Sequence, residues 1–387
     1  MSARDSRDRR PAGSSQPAFR SATVDRARRS GGVLDLPGGK ILLPKVFGFC
    51  RGVERALEIL DKAVRQHRGG AGRLFLLGQI IHNPWVNNYF QSQGVRILSP
   101  DQRDQPEKYI TPNDCAVIPA FGVPLGIQQR MERIGCEIID TTCGNVRRLW
   151  QWAEQAASSG YGVLIFGRAL HDETVVTKSR LAAAGGRYVV AGDLRQVQAF
   201  ADMLAGQGQA GRFGELFGPE GTNADDLQPF GRLAQVSQTT MLYDDTMKVR
   251  QILRDAMRRR FGPDGAADRL IFERTVCRAT QDRQVAAVEL CRTGCDLAVV
   301  VGGFTSSNTR HLFELAGGYA RAYFIESADG IKSASRLETY DFQADQPVVA
   351  ENWLPDTRPI RVAVLAGASS PEIVVGEVIE KLEGFLS

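Results

Sequence analysis

The chain has 387 residues, more than one hydrophobic core usually organises, so two or three domains are expected. Its composition, 43% hydrophobic and 24% charged, excludes a disordered or fibrous protein; no apolar run approaches the roughly 20 residues that span a bilayer, no signal-peptide pattern opens the chain, and a cytoplasmic location is expected. The net charge of +4 is local: residues 1–30 hold eight arginines against three aspartates, a balance of +5, which leaves about −1 elsewhere and argues against a nucleic-acid surface.

In chain order, the first 38 residues are rich in Arg, Ser, Gly and Pro without apolar periodicity and read as a disordered basic tail. From Ile41 onward short apolar runs alternate with helical patterns. Strands are predicted at 41–47, 73–77, 115–120, 136–140, 161–167, 187–191, 232–237, 296–303, 322–326 and 361–366. Stretches such as VERALEILDKAVRQH and TMKVRQILRDAMRRRF carry apolar residues at helical spacing between them. This alternation means α/β units with mainly parallel sheets. Gly206–Leu227, rich in Gly, Asp and Glu, reads as a surface insertion.

An apolar segment ends three times at a cysteine followed by an arginine-bearing helical pattern: GFC-RGVERA at Cys50, TTC-GNVRRL at Cys143 and TVC-RATQDRQ at Cys277. The expected units are 39–135, 136–245 and 246–360, each giving one cysteine to a shared centre, with 361–387 returning to the core as a strand and helix. Seven cysteines, an odd number without a secretion signal, do not suggest a disulfide framework. A cysteine opening a helix sits at the positive dipole end, which favours the thiolate that binds soft metals and iron–sulfur clusters. Buried packing is the competing reading for each thiol, because no CxxC pair is present. Cys115, Cys136, Cys291 and Cys295 read as structural, and His67 and His311 as helical residues without chemistry.

Further polar groups gather just beyond predicted strands, where α/β sheets place ligands. His82 lies in GQIIHNPWVN; His171 opens HDETVVT, with Glu173 as a possible proton source. VVVGGFTSSNTR offers Ser306, Ser307 and Asn308; AGASSPE offers Ser369; SQTTML offers Gln238, Thr239 and Thr240. Such groups can cap helices, but together they suit a doubly anionic group such as a diphosphate.

With these segments in order, the chain resembles the LytB-type 4-hydroxy-3-methylbut-2-enyl diphosphate reductases. The resemblance runs from Phe47 to Leu382 through GFCRGVERA, IIHNPWVN, PAFG, DTTC, HDETVVT, SQTTML, TVCRATQDRQ, VVGGFTSSNT, ENWLP and AGASSPE, with wording nearest the plant and cyanobacterial branch. It implies three similar α/β domains in pseudo-threefold arrangement around a central [4Fe-4S] cluster held by Cys50, Cys143 and Cys277, with one open iron. It further implies diphosphate binding by His82, His171, Ser306, Ser307, Asn308 and Ser369, proton delivery by Glu173 with Thr239 beside it, and a ferredoxin or flavodoxin-type electron donor. Two departures stand out: Phe121 where many bacterial relatives have a third histidine, and Gly144-Asn145 where proline usually follows the cysteine. A paralogue acting on another hydroxylated substrate and a non-catalytic iron–sulfur sensor are the alternatives. A structural zinc site would want a fourth ligand.

Overall fold

The computed structural model describes residues 17–387 except Ala71. Its strands are β1 (Val33–Leu36), β2 (Gly39–Leu42), β3 (Leu74–Leu76), β4 (Arg96–Ile97), β5 (Cys115–Ile118), β6 (Glu137–Asp140), β7 (Gly162–Phe166) and β8 (Tyr188–Ala191). They continue with β9 (Leu233–Ser237), β10 (Leu270–Phe272), β11 (Leu297–Val301), β12 (Arg321–Ile325), β13 (Arg336–Asp341), β14 (Gln346–Glu351) and β15 (Ile360–Ala366). All ten predicted strands are present. The other five escaped notice because they are short or polar: β4 has two residues, and β13 and β14 form a largely exposed hairpin.

Beside the two-stranded β13-β14 hairpin, three larger sheets result among the described residues, in the orders β4-β3-β5-β6, β10-β9-β7-β8 and β1-β2-β15-β11-β12. The first two are wholly parallel; in the third only the β1–β2 hairpin is antiparallel. Central strands such as LAVVV (β11) and GVLIF (β7) are buried at every position, as parallel strands covered on both faces must be.

The sheets divide the chain differently from the boundaries expected at 39, 136 and 246. β6 pairs with β5 and closes the first sheet, β10 pairs with β9 in the second, and β2 pairs with β15 in the third. Parallel pairing needs a crossover, which the helices Leu125–Ile134 and Tyr243–Ala266 supply just before β6 and β10.

The basic tail is corrected from Ser21 onward; its residues 1–16 lie outside the described residues. Ser21 caps a helix, Ala22–Arg29, that buries Val24 and Ala27, while Arg26 and Arg28 pair with Glu383 and Glu372 of the C-terminal helix, Glu372–Leu386. Two of the arginines that suggested disorder, Arg26 and Arg28, are therefore partners of a distant acidic face. The stretch read as an insertion is also anchored, because Phe213 and Phe217 of a short helix pack with Phe200 and Phe230 in the second core.

Candidate active site

Each candidate residue follows the C-terminal end of a parallel strand or opens the next helix. Cys50 caps Arg51–His67, Cys143 caps Gly144–Ser158, and Cys277 caps Arg278–Arg292. The Cys50 and Cys277 sulfurs accept from the N–H groups of Val53 (3.5 Å) and Thr280 (3.4 Å). Gly52 lies between two of the thiols: a Cβ there would stand 2.8 Å from the Cys143 sulfur and 3.7 Å from the Cys50 sulfur. Among the described residues, these three cysteines do not form a group whose ligand atoms all lie within 4.8 Å of one another. One tetrahedral ion with metal–sulfur bonds of about 2.3 Å would need a tighter group, so the spacing suits a polynuclear cofactor better.

The expected lowering of thiol pKa is reversed at two positions. Burial raises Cys143 and pushes Cys277 up to about 11, although helix N–H groups and, at Cys277, Thr280 act in the opposite direction. Desolvation outweighs these hydrogen bonds even though both cysteines are only half-buried. A metal that replaces the proton relieves this cost.

Glu173, 3% exposed, projects from Asp172–Ala183 toward the turn after β9. Thr239 donates its backbone N–H to Oε1 and its hydroxyl to Oε2, and the Thr239 carbonyl accepts the Cys277 N–H at 3.0 Å. Burial pushes the Glu173 pKa up to about 7, against the opposing Thr239 hydrogen bonds. The acid is thus poised to hold a proton near neutrality, one residue from a cysteine.

His82 and His171 meet edge to face at 5.1 Å, and His82 stacks on Phe121 at 4.7 Å. Burial lowers the pKa of both imidazoles, most strongly at His171. His171 Nδ1 accepts the Glu173 N–H, so its neutral ring carries the proton on Nε2. Both Nε2 atoms are buried without a hydrogen-bond partner, although Asp172 Oδ2 stands 3.8 Å from that of His82; the His171 Nε2 is a donor free to meet a ligand. Both histidines line a cavity of about 900 Å³ shared with Arg103, Phe121, Arg168 and Asp172.

The remaining donors come from the third sheet. Ser306 and Ser369 lie with hydroxyls 3.1 Å apart, and Ser307 meets the Thr240 hydroxyl at 3.0 Å. Asn308 accepts the Ala368 N–H (2.9 Å) and donates to Thr280 (3.4 Å), whose hydroxyl lies 3.1 Å from the Cys277 sulfur. Gly303 permits this closeness, since a Cβ there would stand 2.5 Å from the His82 carbonyl oxygen. The structure therefore gathers the predicted residues from all three sheets.

Sequence reasoning missed Gly52, Thr280 and Arg283. The buried Arg283 guanidinium donates to the carbonyls of Gly48 (2.7 and 3.0 Å) and Phe49 (2.9 Å), tying the Cys277 helix to the Cys50 turn. Its position one helical turn after Thr280 on the same face was the available signal.

The family described as LytB protein matches residues 41–383, and the chain belongs to it. A 4-hydroxy-3-methylbut-2-enyl diphosphate reductase of Gloeobacter violaceus is 35% identical over 373 residues, covering 94% of this chain and 87% of its own. The protein of the same description from Thermosynechococcus vestitus is 33% identical over 369 residues, covering 95% and 90%. The solved structure of the E-1-hydroxy-2-methyl-but-2-enyl-4-diphosphate reductase from Plasmodium falciparum superposes with a TM-score of 0.64 at 20% identity, covering 88% of this chain and 86% of its own. A second structure, described as (E)-4-hydroxy-3-methyl-but-2-enyl diphosphate reductase, the terminal enzyme of the non-mevalonate pathway, gives 0.54 at 22%, covering 89% and 99%. These two show that the fold is shared.

Proposed function

We propose that this LytB-family chain is a 4-hydroxy-3-methylbut-2-enyl diphosphate reductase, producing isopentenyl and dimethylallyl diphosphate in the non-mevalonate pathway. Family membership implies an iron–sulfur cofactor. Cys50, Cys143 and Cys277 are the residues that would hold it as a [4Fe-4S] cluster, and the side-chain-free Gly52 beside two of the sulfurs, with at least one sulfur pair more than 4.8 Å apart, suits such a group. When bound, the cluster supplies single electrons and a Lewis-acidic iron.

The chain's own groups account for the rest. His82 and His171 offer buried Nε2 donors, and Ser306, Ser307, Asn308 and Ser369 offer hydroxyl and amide donors, for the diphosphate oxygens. Glu173 gives its proton to the departing hydroxyl, and Thr239 orients the carboxyl. The balance is two electrons and two protons in, with one C–O bond broken, one C–H bond formed and water released. A ferredoxin or flavodoxin-type protein supplies the electrons.

The observation that carries this reading is Glu173: a buried carboxyl poised near pH 7 and joined through Thr239 to a cysteine that opens a helix. A non-catalytic sensor has no use for such an acid. Anaerobic purification with iron and sulfide analysis, followed by assay with the allylic diphosphate and a reduced donor, tests it. Four irons per chain with turnover are expected; a loaded cluster without turnover would overturn the reaction assigned.

A further inference from the structure

We propose that His67, Cys115 and Glu137 form a second metal site, distinct from the cysteine centre, that takes a zinc-class divalent cation. One ligand atom from each lies within 4.8 Å of the other two. His67 ends the helix that Cys50 begins, and its 17 residues place the two ends roughly 25 Å apart. Cys115 and Glu137 open β5 and β6 and are paired in register on these adjacent strands.

The histidine is oriented for ligation. Its Nδ1 lies 2.9 Å from the Ala63 carbonyl oxygen and so carries a proton, the second-sphere contact that metal-binding histidines usually make. In the neutral ring Nε2 then presents a lone pair to Glu137 Oε2 at 3.3 Å. Two acceptors at that distance require a proton or a cation between them. The Cys115 sulfur beside them turns an imidazole–carboxylate pair into an N, O, S ligand set, which leaves a fourth tetrahedral position for water. Thiolate with imidazole selects zinc-class ions over magnesium or calcium. The C-terminal end of the helix adds partial negative charge. Neighbouring Asp114 stays out of the set, because Arg73 and Thr111 occupy its oxygens.

A cation here pins the far end of the Cys50 helix to β6, the strand that leads to Cys143. With three protein ligands and one open position it would be a looser brace than a closed four-ligand site, acting on two cluster-bearing elements from the side away from the cluster. The inference stands independently of the reaction proposed above.

The test uses the cluster-loaded chain, handled anaerobically, cleared of loose metal by chelator and titrated with cobalt or zinc. One equivalent beyond the cluster iron is expected, with near-ultraviolet sulfur-to-cobalt absorption that Cys115→Ala removes. His67→Gln and Glu137→Gln, at the more accessible edge, should weaken binding by more than the roughly 10–100-fold typical of second-sphere changes, while iron content holds. Zinc should raise the melting temperature of the parent protein and not of His67→Gln. No stoichiometric binding, or binding indifferent to both Gln substitutions, overturns the site and leaves an imidazolium–carboxylate pair.

Discussion

Thr239 grips the Glu173 carboxyl at both oxygens, by backbone N–H to Oε1 and by hydroxyl to Oε2, each at 2.6 Å. The same residue's carbonyl accepts the N–H of Cys277, so the acid and a proposed cluster ligand are fixed by one turn of chain. Orientation and proton supply are therefore built together.

Glu173→Gln keeps the shape: its amide oxygen can accept the Thr239 N–H and its NH2 donates to the Thr239 hydroxyl, which turns from donor to acceptor, while the transferable proton is removed. Turnover should fall by about 10²–10⁴-fold, the range general acids contribute, with iron content and cluster spectrum unchanged. Wild-type turnover in this variant would refute the proton-donor role.

Glu173 also sets a pH dependence. Its folded pKa is raised from 4.5 to about 7 by burial, so the neutral carboxyl stabilises the fold fully below about 4.5, and that contribution is lost as pH rises through about 7. Activity should decline over the same upper limb. Melting temperatures of the parent protein and Glu173→Gln, compared between pH 4.5 and 8, should diverge at the parent's expense; a constant difference would show that the carboxyl does not titrate there.

Gly52→Ala separates cofactor from fold. The added methyl would stand 2.8 Å from the Cys143 sulfur, so bound iron should drop sharply. In a helix the same change favours folding by up to about 1 kcal/mol, which offsets the small shift the Cys143 sulfur must make, so the metal-free protein should melt close to its parent. Full iron loading in the variant would show that the thiols do not close around this position.

His171→Ala and His82→Ala each remove one buried Nε2 that makes no hydrogen bond in the free protein from the proposed anion pocket. Hydrogen bonds to charged groups contribute about 1.5–3 kcal/mol, which corresponds to roughly 10–150-fold weaker inhibition by inorganic diphosphate. Calorimetric or kinetic titration would read this directly, and unchanged affinity in both variants would move the diphosphate elsewhere.

Asp114 is a structural control. Its buried carboxylate accepts from the Arg73 backbone and guanidinium and from the Thr111 N–H and hydroxyl, which hold its pKa far below the usual carboxylate range. The stabilisation is present above the unfolded pKa near 3.8 and is lost as pH falls through the folded value. Asp114→Asn turns an acceptor into a donor facing donors, and should cost about 1–3 kcal/mol of stability with iron content unaffected. A melting curve indistinguishable from the parent's would contradict this.

Local chemistry wrote much of this protein into its sequence. Buried parallel strands are continuous apolar runs, so β7, β9, β11 and β15 were legible, and so were the cysteines, histidines and hydroxyls that follow strands. Tertiary structure decided what depends on distant partners. Arg26 and Arg28 looked like part of a disordered tail because Glu383 and Glu372 lie more than 300 residues away. The dipole argument for Cys277 pointed the wrong way because burial is a property of the packed sheets, and desolvation there exceeds the pull of a helix end. Gly52 shows the limit most simply: a glycine inside a helix is unremarkable until the fold brings Cys143 against it, since only packing converts a missing side chain into space between two sulfurs.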